Sequence, residues 1–100
     1  MSSERIESFE EFWPFYLGEH RDPLNRRLHY IGTGLVLLTL CTGLALNQYK
    51  LLFAMPVLGY GFAWLGHFRV ELNRPATFTY PLWSLGADFK MFFLACVGRM

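Results

Sequence analysis

Charge is scarce in this chain, and what there is comes in patches. Only 17% of the residues are Asp, Glu, Lys or Arg, against about 25% in an ordinary soluble domain. The net charge of +1 provides no general attraction for nucleic acid, so a nucleic-acid partner is not expected. Cysteine is equally sparse. Cys41 and Cys96 both fall inside apolar runs, which argues against a disulfide framework and for two small apolar side chains. Repeats and low-complexity segments are absent. The opening residues, "MSSERIESFEEF", are acidic and have no apolar core, so no secretory signal is expected. Three common site signatures are missing as well: HExxH, CxxC and a glycine-rich phosphate loop.

Apolar residues are abundant. They make up 53% of the 100 residues, a length suited to one domain, taken as residues 1–100. From Tyr30 to Tyr49 no residue carries a charge, which matches the roughly 20 residues needed to cross a bilayer core. Lys50 interrupts, and a second uncharged tract runs from Leu51 to Phe68. It contains Pro56, Gly59 and Gly61, residues that membrane helices tolerate better than soluble ones. A soluble domain this small has too little polar sequence left to cover two such tracts. The expected fold is therefore all-α: a small integral membrane protein built on an antiparallel transmembrane hairpin, with a tight turn near residues 47–50.

Two further helices flank the hairpin. In "IESFEEFWPFYL" the residues Ile6, Phe9, Phe12, Trp13, Tyr16 and Leu17 recur at helical spacing, with Glu7, Glu10 and Glu11 opposite, the pattern of an N-terminal amphipathic helix. Pro14 is expected to kink or restart it. Asp22 before Pro23 marks the start of the next helix. After "NRPATFTYP" the chain is apolar from Leu82 to Val97 except for Asp88 and Lys90, giving a C-terminal helix that either spans or lies obliquely. Asp88 then either pairs with Lys90 at the interface or serves a site, because an unpaired carboxylate at membrane depth is costly. Arg5, Arg21, Arg26, Arg27, Arg69 and Arg74 all fall at one end of the hairpin, against Lys50 at the turn. The positive-inside rule makes that end cytoplasmic. A bacterial inner membrane is the expected location, with an endoplasmic-reticulum membrane as the alternative.

The same end collects every histidine. His20 and His29 precede or begin the first span, and His67 ends the second. Glu19, Asp22, Glu71 and Asp88 lie near that level. His67 and Glu71 are four apart and share a face if the helix continues. Imidazoles with a carboxylate suit Fe, Zn, Cu or Ni, and two histidines plus one carboxylate with open positions suit non-haem Fe(II). Arg69 and Arg74, beside the histidines, can hold a substrate carboxylate in a forked hydrogen bond. Arg26 and Arg27 read as topology determinants. Two other readings use the same residues: haem held between His29 and His67, and a non-catalytic membrane accessory whose polar cluster binds lipid headgroups.

The two stretches "FYLGEHRDPLNRRLHYIGT" and "GHFRVELNRPATFTYPLWSLGADFKMF" resemble the small membrane family of 2-hydroxy fatty acid dioxygenases, named for the metabolism of phytosphingosine to odd-numbered fatty acids. The shared pattern is E-H-x-x-P-x-N-x-x-x-H, then G-H-x-x-x-E-x-N-R-P-A. The resemblance implies an Fe(II)-dependent enzyme that uses O₂ to shorten a 2-hydroxy fatty acid by one carbon in the lipid bilayer. It places the family's metal histidines on His20, His29 and His67 and its acidic position on Glu71. Asn25, Asn73, Arg74 and Pro75 also match. Catalytic roles then fall on Glu71, Asn73 and Arg74, and substrate binding on Asn25, Arg69 and Arg74. A further ligand would come from Glu71, Asp88, water or a second subunit, with Glu19 close by. A homodimer is expected from size, since so few helices enclose an acyl chain poorly.

Overall fold

The computed structural model describes residues 5–100. Residues 1–4, the start of the acidic stretch read as lacking a signal, lie outside the described residues. The described chain is helical: α1 (Phe9–Gly18), α2 (Pro23–Ala45), α3 (Ala54–Leu65) and α4 (Pro81–Cys96). A 3₁₀ turn over Tyr49–Phe53 leads into α3, and a π-helical turn over Gly66–Glu71 continues it. A short 3₁₀ turn, Ala76–Phe78, precedes α4. No strand occurs among the described residues.

α1 is capped by Ser8, whose hydroxyl accepts from the Glu11 N–H at 3.2 Å, and Glu10 and Glu11 complement the positive end of the helix. Pro14 does not restart it, because α1 runs unbroken from Phe9 to Gly18. The physical reason lies on the opposite face. Phe12 and Tyr16 are fully buried with Ala87 and Met91 of α4, and Phe12 also packs against the rings of Tyr80 and Trp83. That apolar burial holds the helix together despite one missing hydrogen bond.

α2 begins where Asp22 and Pro23 predict: the Asp22 carboxylate accepts from the Leu24 N–H at 2.8 Å. α2 and α3 lie against each other with their residue order reversed. Gly66 meets Asn25, Gly32 meets Leu58 and Phe62, and Gly43 meets Leu52. Glycine is needed at these crossings for close approach. A Cβ on Gly32 would stand 3.1 Å from both the Leu58 carbonyl oxygen and the Phe62 Cβ, and small residues of this kind let helix backbones touch. The turn between them closes through Asn47, left-handed at φ 54°, with the Gln48 N–H returning to the Gly43 carbonyl at 2.8 Å.

Two segments, Pro23–Ala45 and Tyr49–Glu71, are long and apolar enough to cross a membrane. Their outer faces are greasy: Leu38 is 62% exposed, Phe53 83% and Val57 72%, more apolar exposure than a soluble surface normally carries. α4 is different. Its 16 residues extend about 24 Å, short of the roughly 30 Å hydrocarbon core, so the oblique alternative fits its length. It buries Ser84, Ala87 and Met91 against the rest of the protein.

The glycines make a discriminating test. Gly32→Leu is expected to force α2 and α3 apart and lower the melting temperature in detergent, read by circular dichroism. Gly61→Ala, where a Cβ meets nothing within 4 Å, is expected to be neutral or to stabilise by up to about 1 kcal/mol.

Candidate metal centre

Three separate elements deliver the three histidines to one point. His20 follows the end of α1, His29 sits in α2, and His67 lies in the π-helical turn after α3. All three are buried, at 0%, 4% and 2% exposure. Their ring centroids stand 4.3, 4.5 and 4.9 Å apart, and each pair of rings is close to perpendicular. One ligand nitrogen from each lies within 4.8 Å of the others.

The outer nitrogen of every ring is occupied. His20 Nδ1 donates to the Tyr16 carbonyl at 2.7 Å and His29 Nδ1 to the Asn25 carbonyl at 3.0 Å. His67 Nδ1 donates to Asn73 Oδ1 at 2.7 Å. The Asn73 amide is oriented by its other end, since Nδ2 donates to the Glu19 carbonyl at 3.1 Å. A carbonyl oxygen only accepts, so each ring carries its proton on Nδ1 and presents a bare lone pair at Nε2. His20 Nε2 and His29 Nε2 then face each other at 3.0 Å with no proton between them. Two lone pairs so placed repel unless a cation joins them. Two imidazoles bound at right angles to one ion at about 2.1 Å would stand about 3.0 Å apart. The donor set therefore fits a transition metal, with the outer hydrogen bonds that metal-binding histidines characteristically make.

The π-helical turn is what lets Asn73 reach His67. In a continuous α-helix, residues six apart sit about 9 Å along the axis and on different faces. Here the helix ends at Leu72, left-handed at φ 59°, and the Asn73 N–H returns to the His67 carbonyl at 2.9 Å. A leucine in that conformation costs about 1–2 kcal/mol, and such turns concentrate at functional sites. Gly66 admits the Asn25 side chain of α2 at the same place: a Cβ there would fall 1.8 Å from Asn25 Oδ1.

Tyr16 and Asp88 form the floor. The Tyr16 ring stacks on His20 at 4.0 Å between centroids, and its hydroxyl donates to Asp88 Oδ1. Burial raises the Asp88 carboxyl to about 7, an effect the Tyr16 hydrogen bond partly offsets. Burial also raises the Tyr16 hydroxyl well above its usual range, and Asp88 adds to this. Burial, then the neighbouring His29, lowers the His20 ring to about 2, so its lone pair stays available at neutral pH. A small cavity of about 10 Å³ lies among the three rings, lined also by Trp64, Ser84 and Asp88, room for about one water-sized ligand. Trp64 Nε1 and Ser84 Oγ are buried there without a partner. With the His29 and His67 rings 4.9 Å apart and His20 at 4.3 and 4.5 Å from them, no planar macrocycle fits between those two rings, which argues against haem there.

The remaining predicted residues spread outward. Glu71 Oε1 accepts from the Asp22 N–H and so ties the second span to the start of α2. Glu19 contributes its main-chain carbonyl to Asn73. Asn25 is fully buried against Gly66 with both side-chain polar atoms unpartnered, and it lines neither the small cavity nor the larger one beside it. Arg69 and Arg74 are exposed; Arg74 lies over the Phe78 ring at 5.0 Å. Arg26, read only as a topology charge, donates from Nε to the His20 carbonyl at 2.6 Å. Asp88 does not choose Lys90, which instead lies over the Trp13 ring at 4.4 Å. Sequence reasoning missed Tyr16, Trp64 and Ser84, all of which look like ordinary core residues.

Fold and site together define an all-helical protein with two membrane-length helices and a buried three-imidazole centre suited to a metal ion. Over residues 6–100 the chain matches the family model described as 2-hydroxy-palmitic acid dioxygenase Mpo1-like, and it belongs to that family. No curated protein and no solved structure matches it significantly.

Two predictions follow from the geometry. Asn73→Ala is expected to release the His67 ring and weaken metal affinity roughly 10–100-fold, measured by titration with Fe(II) or Zn(II), while the circular dichroism spectrum is retained. Asp88→Asn tests the buried carboxyl. A carboxyl raised to about 7 when folded binds more protons folded than unfolded, so wild-type stability falls as pH rises from about 4 to about 7. The variant lacks that loss. Its stability relative to wild type is expected to rise by at most about 1.4 kcal/mol per pH unit across that window and to level off above it.

Proposed function

We propose that this protein is a membrane-embedded, Fe(II)-dependent dioxygenase that shortens 2-hydroxy fatty acids by one carbon. The observation that carries this reading is the convergence of three Nε2 lone pairs, each fixed by a carbonyl behind its ring. The family description supplies the chemistry: dioxygenation of a 2-hydroxy acid.

His20, His29 and His67 would hold the iron, which when bound would activate O₂ and accept the oxygens of the substrate head. The protein's own residues do the rest. The unpartnered Ser84 hydroxyl and Trp64 N–H are donors for the substrate's carboxylate and 2-hydroxyl. The carboxylate oxygen of Asp88 not engaged by Tyr16 takes the proton of the 2-hydroxyl, a role suited to a carboxyl held at about 7. Tyr16, backed by the tilted Phe12 ring at 6.0 Å, keeps bulk water away. The reaction balances as 2-hydroxy acid plus O₂ giving the acid one carbon shorter, CO₂ and water.

The bilayer setting belongs to this proposal. The exposed apolar faces of the two long helices would face lipid. The arginine-rich end would be cytoplasmic, in a bacterial inner membrane or the endoplasmic reticulum. Arg69 and Arg74, exposed at that end, would meet phosphate headgroups or the incoming carboxylate rather than the metal.

The test is turnover by purified protein loaded with Fe(II) and supplied with O₂ and 2-hydroxypalmitate. The C15 acid is the expected product, and His67→Ala is expected to lose both bound iron and product. Iron-loaded protein that turns over no 2-hydroxy acyl chain would instead support a non-catalytic membrane role.

A further inference from the structure

A second, larger cavity of about 270 Å³ opens beside the metal centre. His29, Ala63 and Asp88 line both cavities, so the two adjoin. From that junction the larger cavity runs between α2 and α3, past Thr33 and Val36 on one side and Gly59 and Pro56 on the other, with Leu85 and Phe89 of α4 as a third wall. Beyond Asp88 the walls carry no charge. Burial falls steadily along it. His29, Thr33 and Ala63 are buried at the metal end, Val36 and Gly59 are half-buried, and Pro56 at the far end is exposed. No buried side chain closes that end.

We infer that this cavity is an open-ended trough for the acyl tail, so that the protein grips only the first part of the chain and leaves the rest in lipid. The inference deepens the function proposed above and rests on it for the nature of the head group. The trough length follows from helix geometry. Seven residues separate His29 from Val36, and seven separate Ala63 from Pro56, about 10 Å in each case. An extended hydrocarbon with bonds of about 1.5 Å advances about 1.3 Å per carbon, so the trough holds about eight carbons. Carbons past roughly C10 lie beyond Pro56, among the exposed apolar side chains Phe53 and Val57. A tail that ends in lipid meets no wall that could measure it.

The experiment uses the Fe(II)-loaded full chain in phosphatidylcholine vesicles, with 2-hydroxy acids compared at equal mole fraction in the bilayer. Turnover is expected to stay level within about twofold from C14 to C24. Val36→Trp, which plugs the trough, is expected to lose at least tenfold on C16 while keeping its metal content and its activity on 2-hydroxyhexanoate. A sharp optimum at one chain length, or an unchanged C16 to C6 ratio in Val36→Trp, would overturn the trough. Photolabelling covers the case in which the variant fails to fold. A 2-hydroxy acid with a diazirine at C8 is expected to label trough residues of α2 or α3 in the wild-type protein, and one with the diazirine at C16 to label phospholipid. Labelling of α1 by the C8 probe would overturn the trough even if turnover is normal. Trough labelling without turnover would uphold the tail site while removing the catalytic reading.

Discussion

Everything at the centre depends on how three imidazoles are tethered from behind. A buried neutral histidine has two ring nitrogens and one proton, and its chemistry is decided by where the proton goes. Here three carbonyl acceptors, from Tyr16, Asn25 and Asn73, take all three protons outward. Were the Tyr16 or the Asn25 acceptor missing, the His20–His29 contact at 3.0 Å would relax into an ordinary imidazole hydrogen bond. The outward tethers prevent that, and so they hold the apposed nitrogens ready for a cation at the expense of local stability.

The architecture is arranged to supply those carbonyls. Two come free from helix geometry, because Tyr16 and Asn25 each lie four residues before their histidine. The third requires the chain to leave the α-helix, widen into a π turn, pass through a left-handed leucine and bring Asn73 back. The amide of Asn73 then bonds to Glu19 next to His20, and Arg26 bonds to the His20 carbonyl itself. Glu71 closes the circle at Asp22. The loop between α1 and α2, the start of α2 and the end of the second span are thereby one hydrogen-bonded unit, and α1 seals it through aromatic contacts with α4.

Periodicity and charge made the helices legible, and the placement of His20, His29 and His67 at the ends of the two tracts was enough to gather them at one level. The finer assignments needed distances. His67 and Glu71 at i and i+4 suggest a joint ligand pair only under α-helical winding, and a π turn has no sequence signature as plain as Asp22–Pro23. Asn73 was legible as a site residue by resemblance, but its tether to His67 was not, because it depends on a left-handed leucine that no propensity favours. That the helix does not restart at Pro14 has a related reason: a propensity rule sees the lost hydrogen bond but not the ring-on-ring packing of Phe12 with Tyr80 and Trp83 that outweighs it. Trp64 and Ser84 look like core residues until their missing partners are seen, and Tyr16 does so until Asp88 and His20 are found against it.

On the proposed reading, electrostatics connects the neutral ligand set to an anionic substrate. Three uncharged imidazoles would leave a divalent ion's charge uncompensated in a buried site, where an unpaired charge is costly. Among the described residues lining the small cavity, Asp88 is the one carboxylate, at most one negative charge against two positive ones. The arginines cannot help, being cationic. A ligand that brings its own negative charge is therefore favoured over a neutral one, and a carboxylate on an apolar tail meets both the ion's need and the greasy trough beside it. On the proposed reading, the same scarcity of charge that lets the two long helices sit in lipid makes the substrate's head group part of the site's charge balance. A neutral 2-hydroxy amide or ester of the same chain would fill the trough equally well and still leave the ion unpaired.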